Sequence, residues 1–157
     1  MVVNPTWEEV SQDFQRDGSW RDIYIFDTTV DDWQALLDYL RDREMVTWFT
    51  IDGEPAVPMS DARAIFALRD TVAPSIGFRA AGLDLACHFF CEEEIEFDFV
   101  PTDVTAKSWP DFVAWLREIA TRFKRDIVVT PENWSHVDII RISPNTCGLL
   151  YFPPDAD

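Results

Sequence analysis

The chain has 157 residues, of which 47% are hydrophobic and 14% aromatic. This length is sufficient for one domain with an apolar core and too short for two domains of typical size. It carries 29 acidic against 13 basic side chains, a formal net charge of −16. Such a field repels nucleic-acid phosphates and anionic membrane surfaces and attracts basic proteins. We therefore expect no nucleic-acid partner and no membrane partner.

The cysteines and the apolar runs indicate the compartment. Cys87, Cys91 and Cys147 are an odd number, and no basic segment followed by an apolar run marks a secretory signal. The apolar runs are far shorter than the roughly 20 residues of a transmembrane helix. We expect a reduced, cytoplasmic protein that forms a single acidic domain over residues 1–157.

The chain opens with a predicted helical segment over residues 1–18. Thr6 and Glu9 have the spacing of a capping box, which predicts a short helix over 7–16. Residues 20–27 (WRDIYIFD) are rich in β-forming side chains. They predict a strand that is buried on both faces.

A capped helix and a hairpin follow. Thr29 and the acidic residues after it predict the start of an amphipathic helix over 30–43. A strand is predicted over 45–51, and Asp52-Gly53 is a hairpin signal that leads to a short edge strand or loop at 54–57.

The middle of the chain predicts a meander that ends in an acidic strand. Residues 63–69 (RAIFALR) fit either a strand or a helical turn, and both interpretations stay open. Strands are predicted over 75–80 and 83–90. From residue 92 to 100 apolar and acidic side chains alternate, which is typical of a half-buried strand.

The last third contains a second long helix. Ser108, Trp109, Pro110 and Asp111 supply a cap, an early proline and an acid, and an apolar stripe continues from there to Phe123. Three short strands are predicted after it, and the tail is expected to fray. Their ranges are 127–130, 137–142 and 148–152, with the tail at 153–157.

These elements predict an α+β fold with a single antiparallel, mostly meander sheet. Two main amphipathic helices pack on one face, and a short N-terminal helix is added. Residues 20–69 and 94–142 also share a loose β-α-β-β order. Either the two units are a loose repeat, or capped helices on a sheet simply look alike.

The acidic strand provides the first candidate site. Its carboxylates, about 7 Å apart along a strand, fit a solvated face, a docking surface for a basic protein, or a divalent-cation site. The last interpretation is disfavoured because neighbouring carboxylates on one strand are too far apart to share an ion, and we expect no metal. Two tryptophans outside the helix stripes are added as candidate exposed anchors. The candidate residues are Glu92, Glu94, Glu96, Asp98, Trp115 and Trp134.

The sequence gives little support for a zinc site, a catalytic cysteine or a phosphate-binding loop. Cys87, His88 and Cys91 have the wrong order for common zinc sites, and alternation places His88 on the face opposite the two cysteines. Pairing of Cys147 with either histidine has no activating context. No glycine-rich phosphate loop is present, so we expect no cofactor and no catalytic residue.

Two functional hypotheses remain. The first is a protein-binding domain that docks on a basic partner, which resembles bacterial immunity proteins against secreted nuclease toxins in charge and size. The alternative is a small-ligand-binding or hydrolytic domain with a pocket between sheet and helices that uses Glu94 and Glu96. The sequence does not give the oligomeric state.

Overall fold

A computed structural model describes residues 1–145 and 148–155. The strands are β1 (Val2–Val3), β2 (Arg21–Phe26), β3 (Val46–Ile51), β4 (Glu54–Pro55), β5 (Pro74–Ala80), β6 (Leu83–His88), β7 (Glu94–Phe99), β8 (Ile127–Pro131), β9 (Ile140–Ile142) and β10 (Leu149–Tyr151). The α-helices are α1 (Trp7–Val10), α2 (Val30–Asp42), α3 (Ala62–Leu68) and α4 (Trp109–Phe123). Short 3₁₀ helices cover Ser11–Phe14 and Pro101–Asp103.

The strands form one ten-stranded antiparallel sheet in the order β1-β10-β9-β8-β2-β7-β6-β5-β3-β4. This confirms the predicted α+β class and the single antiparallel sheet. The neighbours β5-β6-β7 and β8-β9-β10 are consecutive in the chain, which makes most of the sheet a meander. Only β2 and the two ends of the sheet depart from that order.

The centre of the sheet is β2, which lies between β7 and β8. Ile23 is paired with Phe97 on one side and with Val129 on the other, and all three side chains are fully buried. Five of the six β2 residues are buried, which confirms the predicted strand with two buried faces.

The two long helices cover one face of the sheet. Trp115 of α4 packs against Phe78 and Phe97, and Trp33 of α2 is fully buried against Phe89. An ion pair of 2.9 Å joins Arg125, beyond the end of α4, to Asp32 of α2. We call this the helix face and the opposite side of the sheet the open face.

Several local predictions are resolved or corrected. Residues 63–69 belong to a helix, because Asp61 caps α3 and the Gln34 side chain accepts from the Ala62 N–H, 2.8 Å away. The helix predicted over 7–16 is instead a single α-turn that tightens into a 3₁₀ turn. The strand predicted over 137–142 begins only at Ile140, after a loop at 132–138.

The two β-α-β units do not repeat the arrangement of the sheet. After α2 the chain enters β3, which lies four positions from β2, whereas after α4 it enters β8, which lies two positions from β7. Cys147 and the last two residues of the predicted tail lie outside the described residues. Within the described ranges, no helix combines the length and apolar character needed to span a membrane.

Candidate functional site

The open face carries most of the polar side chains of the central strands. Cross-strand pairing assigns alternate residues of β2, β3, β5, β6 and β7 to this side, opposite the buried apolar set. Its members are Asp22, Tyr24, Phe26, Trp48, Thr50, Ser75, Gly77, Arg79, Asp84, Ala86, His88, Glu94, Glu96 and Asp98. The ring contacts between α4 and the sheet reach the opposite side, where Trp115 packs on Phe78 and Phe97.

Glu92, Glu94, Glu96 and Asp98, the predicted row of acids, lie on this face with one exception. Glu94, Glu96 and Asp98 are half-buried on β7, and they alternate with Ile95, Phe97 and Phe99 on the helix face. Glu92 is not part of the row, because it lies in the turn before β7 with an exposed side chain. Its backbone carbonyl accepts hydrogen bonds from Thr28 Oγ1 and Trp33 Nε1, at 2.7 and 3.2 Å. Glu92 therefore anchors α2 through its backbone.

A fourth carboxylate, which the sequence did not single out, joins the row. Asp22 of β2 lies directly opposite Asp98 and is only 2% exposed. The loop after β8 folds over it, and the Asn133 N–H donates to its Oδ2 at 2.8 Å. Tyr24 lies opposite Glu96, and its hydroxyl is 3.4 Å from the same Asp22 oxygen.

The neighbouring carboxylates of the open face help to raise the pKa values of Glu96 and Asp22. Burial, followed by the charges of Asp22, Asp98 and Glu94, raises the pKa of Glu96 to about 7. Burial also raises the pKa of Asp22, despite the hydrogen bond from Asn133. Within residues 1–145 and 148–155, no lysine or arginine forms an ion pair with any of these four groups. The open face therefore holds negative charge that no lysine or arginine of the described chain neutralises, and the titratable base beside it is His88, whose Nε2 lies 3.3 Å from Asp98 Oδ2.

Exposed aromatic side chains border the carboxylates. Trp48 is 40% exposed and its indole lies across Gly77, leaving Gly77 and Ala86 as the floor between it and Asp98. Phe90 is 60% exposed at the end of β6. Trp134 is 57% exposed, as expected, in the loop that covers Asp22.

The expectation that Trp115 is an exposed anchor is wrong. Its side chain is 6% exposed and belongs to the core, where it packs between α4 and the sheet against Phe78 and Phe97. It presents no surface to a partner. Exposed Trp48, which the sequence analysis did not select, lies on the open face instead.

The alternative pocket does not contain its proposed acids. Glu94 and Glu96 lie on the open face, so a pocket between the sheet and the helices would be lined by their apolar neighbours instead. Cys87 is fully buried on the helix face, opposite His88, and burial raises the pKa of its thiol well above the ordinary value. In the described ranges, no three His, Cys, Asp or Glu side chains are arranged to hold a metal ion.

Comparisons of this chain with protein families, with curated proteins and with solved structures found no match.

Proposed function

We propose that this protein is an acidic binding protein whose open face docks on a basic protein, in the manner of an immunity or inhibitor protein. The observation that carries the proposal is the group of four carboxylates on the open face that no lysine or arginine of the described chain pairs with: Asp22, Glu94, Glu96 and Asp98. Like charges this close are unfavourable in the free protein. A lysine or arginine side chain of a partner relieves that repulsion when it binds.

The aromatic border supports a protein partner over a simple cation. Stable interfaces combine a few large aromatic anchors with charges that steer association and set orientation. Trp48, Phe90 and Trp134 expose 40%, 60% and 57% of their surfaces beside the carboxylates. An ion bound by oxygen ligands would not require them.

The net charge of −16 adds a long-range electrostatic attraction to the association with a basic partner. A field of this sign accelerates the approach of a basic protein and is screened by salt over about 8 Å at physiological ionic strength. Association is therefore expected to be fast and to weaken steeply as salt increases. Burial of the aromatic side chains is expected to be less sensitive to salt, and it sets how long the complex persists.

The test compares two double charge reversals in capture from the protein's own cell lysate at about 50 and about 500 mM salt. Glu94→Lys/Glu96→Lys alters the open face. Asp42→Lys/Glu54→Lys makes the same change in net charge at exposed sites away from it. The captured protein is then purified, and its affinity is measured for all three forms.

Support requires a basic partner that is shed at high salt and that binds the open-face variant at least about tenfold more weakly than the control variant. Equal losses in the two variants would mean that net charge alone drives capture, which contradicts docking by this face. A neutral or acidic partner, or no partner at either salt concentration, also contradicts the proposal.

A further inference from the structure

Three polar side chains from three neighbouring strands form a hydrogen-bonded row on the open face. Ser75 of β5 is paired with His88 of β6, and Ser75 Oγ lies 2.7 Å from His88 Nδ1. On the other side of the imidazole, His88 Nε2 lies 3.3 Å from Oδ2 of Asp98 on β7. We call Ser75, His88 and Asp98 the polar row.

The surroundings hold the imidazole in place while leaving it in reach of water. Phe90 stacks on the His88 ring with centroids 5.2 Å apart, and Arg69 fixes the Phe90 carbonyl with a hydrogen bond of 2.7 Å. A cavity of about 170 Å³ opens beside them and is lined in part by Ser75 and His88. The His88 side chain is 34% exposed, so protons can reach it directly.

Both protonation states of the imidazole fit the row. When neutral, Nε2–H donates to the Asp98 carboxylate, which can only accept, and Nδ1 accepts from the Ser75 hydroxyl. When protonated, both nitrogens donate, to Ser75 Oγ on one side and to Asp98 Oδ2 on the other. Asp98 Oδ1 is buried without a hydrogen-bond partner in the described chain, so imidazolium is the nearest charge that stabilises this carboxylate.

The charges facing His88 come mainly from the acidic strands. Asp98 and Glu96 on β7 and Asp22 on β2 favour the imidazolium, whereas partial burial opposes it. The hydrogen bond to Asp98 is the largest effect, and the pKa of His88 is raised above its ordinary value of 6.5. The other charged groups on the adjoining elements include Glu94 on β7, Arg79, which is paired with Asp84 at 2.9 Å, and Arg69 at the end of α3.

We propose that His88 is a proton switch of the docking face, and that proton uptake between Ser75 and Asp98 weakens the hold of the face on a basic partner. The inference rests on the proposed function of the open face. Protonation adds one positive charge where a partner cation would bind, and it pairs Asp98 internally. The protein would then bind firmly at slightly alkaline pH and release its partner as the pH falls below neutral.

The first measurement follows His88 alone. Imidazole NMR signals of the wild type are recorded between pH 8.5 and 5.5, and His136→Gln assigns them because the chain contains two histidines. We expect His88 to titrate above its ordinary pKa and Asp98→Asn to lower that pKa. An imidazole that takes up no proton in this range overturns the inference, whatever the partner.

The second measurement tests binding, with a lysine 20-mer as the probe because its charge is constant over this range. Dissociation constants are measured at pH 8 and pH 6 for the wild type, His88→Gln, His136→Gln and Glu94→Lys/Glu96→Lys. Glutamine keeps hydrogen-bonding groups beside Ser75 and Asp98 but cannot gain charge. Between pH 8 and pH 6 one charge is added near the probe in the wild type and in His136→Gln, but not in His88→Gln. We therefore expect the affinity of the first two proteins to fall about threefold more than that of His88→Gln.

The outcomes separate the two proposals. Equal pH dependence in the wild type and His88→Gln, with binding that still requires Glu94 and Glu96, overturns the switch and leaves the docking face intact. Binding that is insensitive to the Glu94→Lys/Glu96→Lys change contradicts the docking face itself. The residual dependence in His88→Gln is assigned to Glu96, whose pKa of about 7 lies in the same range.

Discussion

Replacing Glu96 with glutamine tests whether the open face stores electrostatic repulsion. The pKa of Glu96 is raised from 4.5 to about 7, first by burial and then by Asp22, Asp98 and Glu94. The folded protein therefore keeps a proton that the unfolded chain releases between these two values. This contribution to stability is full at acidic pH and is lost as the pH rises to about 7. Above neutrality the Glu96 anion destabilises the fold.

The structure sets the size of the effect. A pKa difference from 4.5 to about 7 corresponds to at most ~3.5 kcal/mol, at about 1.4 kcal/mol for each pKa unit. Because the side chain is only half-buried, solvent screening reduces this to ~1–2 kcal/mol. Glutamine has nearly the same shape and no charge. We therefore expect Glu96→Gln to stabilise the protein by ~1–2 kcal/mol at pH 8 and by less than half as much, roughly 0.5 kcal/mol, at pH 5.

Urea unfolding at pH 5 and pH 8 measures this difference. Glu92→Gln is the matched control, because Glu92 undergoes the same chemical change from an exposed position in the turn. If Glu96→Gln and Glu92→Gln shift the unfolding free energy equally at pH 8, the open face stores no repulsion. A stabilisation that is the same at both pH values would show that Glu96→Gln acts through packing instead.

The remaining predictions concern the tryptophans. Trp115→Ala removes a core side chain and should cost ~3–5 kcal/mol of unfolding free energy, whereas exposed Trp134→Ala should change it by less than ~0.5 kcal/mol. Similar costs in urea unfolding would refute the assignment of Trp115 to the core. In Gly77→Ala, an ideal Cβ would lie 2.0 Å from the Trp48 ring, so the exposed indole should move aside at a cost of about 1 kcal/mol. Adding Trp48→Ala should abolish that cost, and strictly additive effects in the double-mutant cycle would contradict the contact.

Patterns that are local in the chain predicted the fold well. The alternation of Ile95, Phe97 and Phe99 with acids identifies β7 and its two faces, because the strand period is two residues wherever the strand pairs. The start of α4 is equally local, with a proline in its first turn after Ser108. Each of these signals is contained in fewer than about ten residues and depends on no distant partner.

Features that depend on contacts between residues far apart in the chain could not be predicted from the sequence. The ambiguity at residues 63–69 is resolved by Gln34 of α2, which accepts from the Ala62 N–H at the start of α3. Trp115 is outside the apolar stripe read from α4 alone, and it is buried because the sheet presents Phe78 to that side of the helix. Both outcomes depend on packing between elements, which local patterns do not encode.

The candidate site was only partly accessible for the same reason. The acids of β7 are visible as a row, but Asp22 joins them only through the register of β2 against β7. The sequence of residues 20–27 predicts a strand that is buried on both faces, and Asp22 is indeed buried, beneath the loop at 132–138. The polar row also required the pairing of Ser75 with His88, which follows from the hairpin of β5 and β6.

The position of β2 between β7 and β8 also sets the order of events during synthesis. The β5-β6 hairpin turns at Ala81 and Gly82, so its two strands can pair within microseconds of leaving the ribosome. Strand β2 has no partner until β7 and then β8 are made, ~5–20 s later at ordinary elongation rates. During that interval β2 has two unpaired edges until β7 is made and one unpaired edge until β8 is made. Chaperone binding to the nascent chain should therefore concentrate on β2 and end when Pro131 emerges.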